Sequence, residues 1–108
     1  MNDVDESPER EKRQIALMRT RIDEFRNGQV GLGQLGEDLD ALALQLVHAS
    51  EEWVNAFRSD AFGLEEIYAV GLDSGSVEQA IDKYQPAIDR LVNGLVEMID
   101  AYDRNSSA

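Results

Sequence analysis

The sequence contains no cysteine, and it has few cations. The absence of cysteine excludes disulfides, zinc–thiolate sites and thiol catalysis. The sequence also lacks an apolar run of the length that crosses a membrane, and residues 1–11 are polar and acidic rather than signal-like, so we expect a cytosolic protein. Its 108 residues are enough for a single domain with one modest core.

The chain has an excess of acidic residues. It carries 22 Asp plus Glu against 10 Lys plus Arg, a formal net charge of −12. Residues 1–26 hold seven acids and six bases, whereas residues 27–82 hold eleven acids and one base, Arg58. Such a charge repels nucleic acid and anionic membranes and attracts a basic protein. The alternative is that the acids serve solubility alone.

Hydrophobic spacing predicts helices throughout the chain. Apolar residues recur in steps of three and four, and no segment has the alternation of a strand. The predicted fold class is therefore all-α, a compact bundle of four to five helices with a long kinked C-terminal helix. We predict one bundle domain over residues 8–104, with a disordered tail at 1–7 and a frayed end at 105–108.

The predicted C-terminal helix, residues 76–103, has the most regular pattern. One apolar stripe runs along it, made of Val77, Ile81, Tyr84, Ile88, Leu91, Leu95, Met98 and Tyr102 and widened by Val92, Val96 and Ile99. Ser76 is a suitable N-cap. Pro86 predicts a kink or a one-residue break, and the uninterrupted stripe favours one kinked helix. We expect the other helices to cover this one.

The first half of the chain predicts two helices. Pro8 begins the first helix, which ends near Gly28. A connector over residues 29–33 leads to the second, in which Leu44 and Val47 lie off the main stripe and predict cover on a second side. The predicted inward residues are Ile15, Met18, Ile22 and Phe25 in the first helix and Leu35, Leu39, Leu42 and Leu46 in the second. The bases of the first helix either pair within it or form an interaction surface.

The middle of the chain predicts two shorter helices. Ser50 caps a third helix, which runs out around residues 60–63. A fourth segment follows over residues 64–72, and residues 73–75 have turn chemistry. The residues predicted to face inward from the third helix are Trp53, Ala56 and Phe57. His48, at the end of the second helix, is interpreted as structural.

The aromatic residues Trp53, Phe57, Phe62 and Tyr68 suit either the core or a pocket for a partner. Their spacing matches inward positions and favours the core. If one ring is exposed, we expect it to be Phe62, because this residue lies in the predicted break between the third and fourth segments.

Gly31, Gly33 and Gly36 form the pattern G-x-G-x-x-G, which binds dinucleotides when a strand enters the turn and a helix leaves it. Here a helix precedes the glycines, and the surrounding acids repel phosphate. We therefore predict no cofactor and interpret the glycines as relaxing a turn between two helices.

Three pairs of adjacent acids lie near predicted helix starts: Glu37–Asp38, Glu51–Glu52 and Glu65–Glu66. The helix dipole stabilises acids at such positions. Adjacent side chains on a helix point about 100° apart, so they do not form the facing carboxylates that acid–base catalysis requires. The sequence has no Glu-x-x-His pair and no calcium loop. We predict no catalytic, cofactor-binding or metal-binding residue and a protein that is not an enzyme.

Two stretches carry a resemblance to a known family. Residues 51–60 (EEWVNAFRSD) with 64–70 (LEEIYAV), and residues 28–32 (GQVGL) before a leucine-rich helix, resemble a family of small acidic all-helical bacterial proteins. Its members are mostly described as hypothetical proteins, and some resemble toxin-immunity proteins. The resemblance covers residues 12–100, implies the fold more than the function, and carries over no functional residue.

These observations predict a non-enzymatic protein-binding module, an immunity-type inhibitor that neutralises a basic toxin or nuclease domain through an acidic face. The alternative is a structural or regulatory homo-oligomer that pairs through the apolar face of residues 76–103. We expect a basic protein as partner, no nucleic acid, no membrane, and a monomer or homodimer. The predicted partner-binding residues are Glu37, Asp38, Asp40, Glu51, Glu52, Glu65, Glu66 and Asp73.

Overall fold

Five α-helices account for most of the chain in a computed structural model, which describes residues 8–106. They are α1 (Pro8–Arg26), α2 (Leu32–Leu44), α3 (Glu51–Ser74), α4 (Val77–Lys83) and α5 (Gln85–Ser106). None of the described residues lies in a strand, and the predicted all-α bundle is confirmed. The predicted tail at 1–7 and residues 107–108 lie outside the described part, while α5 continues through residues 105–106, which were expected to fray.

Local capping signals set several helix ends. The Ser50 hydroxyl accepts the Trp53 backbone N–H at 3.0 Å and begins α3, as predicted. The Ser76 hydroxyl accepts the Gln79 N–H at 3.2 Å and begins α4. Gly75 ends α3 in the left-handed conformation, with φ 88°, which glycine adopts without a steric penalty.

Four of the helices form a ring. Helices α1 and α3 each pack against both α2 and α5, so α1 and α3 lie on one diagonal and α2 and α5 on the other. Neighbours are antiparallel: Arg10, near the start of α1, donates to the carbonyl of Gln45, just after α2, at 3.0 Å. Trp53, near the start of α3, donates to the carbonyl of Met98, in the second half of α5, at 3.0 Å. The arrangement is that of an up-down-up-down four-helix bundle.

The core lies inside this ring and has a stripe from each helix. Its members are Ile15, Met18 and Ile22 of α1, Leu32, Leu35, Leu39, Leu42 and Ala43 of α2, Leu46 just after α2, Phe57, Ala61 and Leu64 of α3, and Ile88, Val92, Leu95 and Ile99 of α5. The inward positions predicted for the first two helices are confirmed, with Phe25 partly buried against the core. Removal of these apolar surfaces from water is the main force that holds the four helices together.

Helix α3 is continuous, so the predicted end around residues 60–63 and the separate segment over 64–72 were wrong. Gly63 lies in mid-helix, where glycine costs about 1 kcal/mol relative to alanine. Burial of Ala61 and Leu64 on either side of it outweighs this cost. As a result α3 packs against α2, α4 and α5, while α5 packs against α1, α3 and α4, so two helices share the central position that was predicted for the C-terminal helix alone.

The C-terminal region contains the one-residue break that was the alternative to a single kinked helix. Tyr84, with φ −103° and ψ 17°, separates α4 from α5. Pro86 is the second residue of α5, a position at which a missing N–H removes no hydrogen bond within that helix. The most deeply buried stripe also differs from the predicted one: Val92 and Ile99 are inside, while Leu91 and Met98 are only partly buried.

Three apolar residues are more exposed than predicted. Leu44 is 58% exposed, because among the described helices α2 packs against α1 and α3 and its outer face is open to solvent. Val47, in the loop after α2, is 47% exposed. Ala56 is also exposed, on the side of α3 away from the core.

Candidate functional site

The eight acids predicted to bind a partner do not form one surface. Three lie on α2 (Glu37, Asp38 and Asp40), and five lie on α3 (Glu51, Glu52, Glu65, Glu66 and Asp73). The antiparallel packing of α2 on α3 brings some of them together and separates others, because residues near position 36 of α2 meet residues near position 61 of α3.

Glu37, Asp40 and Glu65 form a carboxylate cluster where α2 crosses α3. The helices are close there because Gly36 has no side chain; a Cβ at this position would lie 2.6 Å from Glu65 Cγ. Burial raises the pKa of Glu65, and the charges of Asp40 and Glu37 raise it further. Arg58 Nε lies 2.7 Å from Asp40 Oδ1 and offsets part of this repulsion.

Asp38 lies on the other side of α2 and faces α1. Its carboxylate is 3.4 Å from Arg21 Nε and accepts a 2.8 Å hydrogen bond from Gln34. Asp38 therefore contributes to the contact between α1 and α2 and does not belong to the carboxylate cluster.

The remaining acids extend along α3. Glu51 and Glu52 are exposed in its first turn, next to the Ser50 cap. Glu66 and Asp73 are exposed on its second half, four and eleven residues beyond Phe62. Asp60, which the sequence did not single out, is half-buried between α3 and Gly94 of α5, and burial raises its pKa.

Two aromatic predictions are confirmed. The Trp53 ring stacks on Phe57 with centroids 4.9 Å apart and contacts Tyr102 at 5.0 Å, so this group closes one end of the core. Phe62 is the exposed ring, with 58% of its surface open to solvent. The reason differs from the prediction, since Phe62 lies on the outer face of an unbroken helix and not in a break.

Several basic residues of α1 reach other helices, whereas the two expectations for them were pairing within α1 or an interaction surface. Arg19 contacts Asp100 at 2.6 Å and Asp103 at 3.2 Å, both on α5. Arg26 donates to Asn93 Oδ1 at 3.2 Å. Arg21 also forms a pair within α1, with Glu24 at 2.7 Å. These interactions join α1 to its neighbours.

A shallow groove of roughly 190 Å³ lies between α1 and α5. It is lined by Arg19, Ile22, Asp23, Arg26, Val96 and Ile99. Two aspartates of α5 hold the guanidinium of Arg19, and the Asp23 carboxylate in the same groove opposes the charge of Arg26, so the groove has little net positive charge for an anionic ligand. The groove is therefore a weaker candidate than the α2–α3 side.

Glu11 is a buried charge that sequence reasoning missed. It is 6% exposed, and one carboxylate oxygen accepts the backbone N–H groups of Val47 at 2.7 Å and His48 at 2.9 Å. The other oxygen accepts the Tyr102 hydroxyl. Burial acts to raise the Glu11 pKa, but these hydrogen bonds and the nearby His48 outweigh it, and the pKa is lowered. From sequence, Glu11 looks like an ordinary acid in a first helical turn.

The glycine pattern serves packing within α2. Gly31 is the N-cap, while Gly33 and Gly36 lie inside the helix and not in a turn, which corrects the prediction. A Cβ at Gly33 would lie 2.7 Å from the Tyr68 ring, and one at Gly36 would lie 2.9 Å from the Ala61 carbonyl oxygen. Helix α2 packs on α3 at Gly33 and Gly36, so the space that a bound phosphate would need beside these glycines is occupied.

The fold and its charges define an all-α bundle with an acidic α2–α3 side. No family model, curated protein or solved structure matches this chain, so the site is interpreted from its own geometry. Within the described residues, no three His, Cys, Asp or Glu side chains are grouped so as to hold a metal ion. None of the helices over residues 8–106 combines the length and apolarity that a membrane span needs.

Proposed function

We propose that this protein is a non-enzymatic protein-binding module that recognises a basic protein through helices α2, α3 and α4. The observation that carries the proposal is the charge of residues 27–82, which hold eleven acids and one base. That base, Arg58, is already engaged by Asp40. A strongly acidic surface accelerates encounter with a cationic partner and disfavours nucleic acid and anionic membranes.

The narrower form of the proposal is an immunity-type inhibitor that neutralises a basic toxin or nuclease domain in a bacterial cytoplasm. It follows from the resemblance of residues 51–60 and 64–70 together with the acid excess. An inhibitor of this type requires a rigid charged face rather than a reactive group. The buried core and the capped helices supply the rigidity.

The homo-oligomer alternative has less support. It was motivated by the broad apolar face of residues 76–103. In the folded chain, Ile88, Val92 and Ile99 of that face are each at most 3% exposed, because α1 and α3 cover them. The face is therefore already occupied within one chain.

The proposal is tested by co-purifying the protein with the products of neighbouring genes and measuring affinity for any basic partner at low and high salt. We expect the dissociation constant to rise at least tenfold between roughly 0.05 and 0.5 M salt, because salt screens charge–charge attraction. A matched pair of variants identifies the face involved. Glu65→Gln/Glu66→Gln should slow association, whereas Glu9→Gln/Glu97→Gln, with the same change in net charge, should not.

A partner whose affinity ignores salt, or equal effects of the two double variants, would count against the proposal. Capture of no basic partner from the neighbouring gene products would remove the immunity-type form of it.

A further inference from the structure

None of the described helices covers the outer face of α3, although Glu65 at one edge of this face adjoins Gly36 of α2. On this face, Phe62 and Leu72 are 58% and 57% exposed, and Ala69 between them is also exposed. Their spacing of seven and three residues places them along one side of the helix. Tyr68 meets Gly33 in the first turn of α2, so the last turn of α3 extends beyond the residue at which α2 begins.

Acidic side chains accompany these apolar residues. Glu65 and Glu66 follow Phe62 by three and four residues, and Asp73 follows Ala69 by four, so each acid neighbours an apolar residue of the same face. We name this set the α3 stripe: Phe62, Glu65, Glu66, Ala69, Leu72 and Asp73. Single exposed apolar residues are common on proteins, but here three of them repeat at helical spacing between carboxylates.

From this arrangement we infer that the α3 stripe binds an amphipathic helix of a basic partner. The apolar residues of the partner would pack on Phe62, Ala69 and Leu72, and its lysines or arginines would face Glu65, Glu66 and Asp73. The inference rests on the proposed function and deepens it by naming the surface and the chemistry of the partner.

Charge complementarity selects this occupant over a second copy of the chain. Two copies joined through the same stripe would bring Glu65, Glu66 and Asp73 against like charges, which is unfavourable. A cationic helix would instead relieve repulsion that already exists, because Glu65 is crowded by Glu37 and Asp40. An aromatic ring among carboxylates also suits an arginine, which combines cation–π and ionic contacts. Helix-on-helix recognition through residues spaced three, four and seven apart is a general mode of binding.

The test is an NMR titration of the uniformly ¹⁵N-labelled chain with two synthetic peptides. The first is an amphipathic helix with leucine on one face and lysine and arginine on the other. The second has the same composition in scrambled order, so it keeps the charge and loses the apolar face. We expect the first peptide to shift the amide signals of residues 62–73 selectively and to bind at least tenfold more tightly than the second.

Substitutions on the stripe supply the second readout. Phe62→Ser/Leu72→Ser should weaken binding of the amphipathic peptide at least tenfold while leaving the thermal unfolding midpoint nearly unchanged, since both side chains are mostly exposed. Leu17→Ser is the matched control, because Leu17 is 40% exposed on α1, away from the stripe. It should leave the affinity unchanged.

Each contrary outcome has a distinct meaning. Salt-sensitive binding that shifts signals elsewhere, or that the Phe62→Ser/Leu72→Ser variant leaves intact, would overturn the stripe as the site and leave the proposed function standing. Concentration-dependent shifts of residues 62–73 without peptide would identify a second copy as the occupant and overturn the inference. Absence of binding by either peptide would overturn it too, whereas the proposed function falls only if no natural basic partner binds.

Discussion

Glu11 joins three segments of the chain with one carboxylate. It accepts hydrogen bonds from the loop after α2 through Val47 and His48, and from α5 through Tyr102. A buried charge that has all these donors is stable, but loss of the charge would leave the two N–H groups and the hydroxyl without a strong acceptor.

We predict that Glu11→Gln lowers the free energy of unfolding by about 1–3 kcal/mol at pH 7, the usual cost of disturbing a buried, charge-assisted network. The Glu11 pKa is lower in the folded state than its ordinary value of 4.5. Its stabilising contribution is therefore present above pH 4.5 and is lost as the pH falls through the lower folded pKa. The measurement is urea unfolding of both proteins across this range.

The difference in the free energy of unfolding between wild type and Glu11→Gln should accordingly be largest near neutral pH and should shrink in acid. Glu9→Gln is the control, because Glu9 is exposed in the same helical turn. It should change the free energy of unfolding by less than about 0.5 kcal/mol. An equal cost in the two variants would show that the buried hydrogen bonds of Glu11 contribute nothing specific.

Single-residue features were predictable from sequence only where they are local. The caps at Ser50 and Ser76 act on backbone groups three residues away, so a short pattern reveals them. The contact of Glu11 with Tyr102 spans 91 residues, and no short pattern records it.

At the level of elements, the packing of α3 depends on the close approach of its neighbours α2 and α4. Gly36 lets α2 pack against the α3 backbone, and Gly71 does the same for α4, since a Cβ there would lie 2.7 Å from Val77 Cα. Glycine has a lower helix propensity than alanine, so Gly36 and Gly71 each weaken their helix locally, but the absence of a side chain makes the close contact possible.

We predict that Gly36→Ala lowers the free energy of unfolding by about 1–3 kcal/mol, although alanine is the better helix former. The added methyl group would meet the Ala61 carbonyl oxygen at 2.9 Å, and backbone cannot move aside as a side chain can. Chemical denaturation of the purified variant gives this quantity directly.

Gly63→Ala is the comparison within α3. Its methyl group would meet only the tip of the Leu91 side chain, at 3.0 Å, which can rotate. We expect a change within about 1 kcal/mol, with the gain in helix propensity offsetting the repacking. If Gly36→Ala were as well tolerated as Gly63→Ala, the α2–α3 contact would not be set by backbone approach.

Across the whole molecule, charge is divided unevenly. The α1–α5 side contains ion pairs between helices, such as Arg19 with Asp100 and Asp103, whereas the α2–α3 side gathers acids with Arg58 as their basic neighbour. This division gives the α2–α3 side a more negative electrostatic potential than the α1–α5 side.

We predict that Glu65→Gln raises the free energy of unfolding by about 0.5 kcal/mol at pH 7, the typical size of a like-charge interaction on a helix surface. Burial, then Asp40 and Glu37, raises the folded pKa of Glu65 above its ordinary value of 4.5. The destabilising effect of the Glu65 charge is therefore absent below pH 4.5 and appears as the pH rises through the higher folded pKa. Thermal unfolding at several pH values measures it.

Glu66→Gln makes the same change in net charge at the adjacent, exposed position. It should alter stability less, because Glu66 lies outside the crowded cluster. Equal gains in the two variants would mean that overall charge, and not the cluster of Glu37, Asp40 and Glu65, determines the effect.

The sequence by itself determined the all-α class and most of the core, because amphipathic periodicity and capping act over a few residues. The exposure of Phe62 was decided by the tertiary structure, which leaves that side of an unbroken α3 open to solvent. The sequence did not determine the length of α3: Gly63 is a local signal for a helix end, and only packing against α2 and α5 overrides it. The tertiary structure also decided which acids meet. Glu37 and Glu65 become neighbours because α2 and α3 cross at Gly36, while Asp38, one residue away from Glu37, turns toward α1. Such pairings depend on how the helices pack, which local sequence signals do not encode.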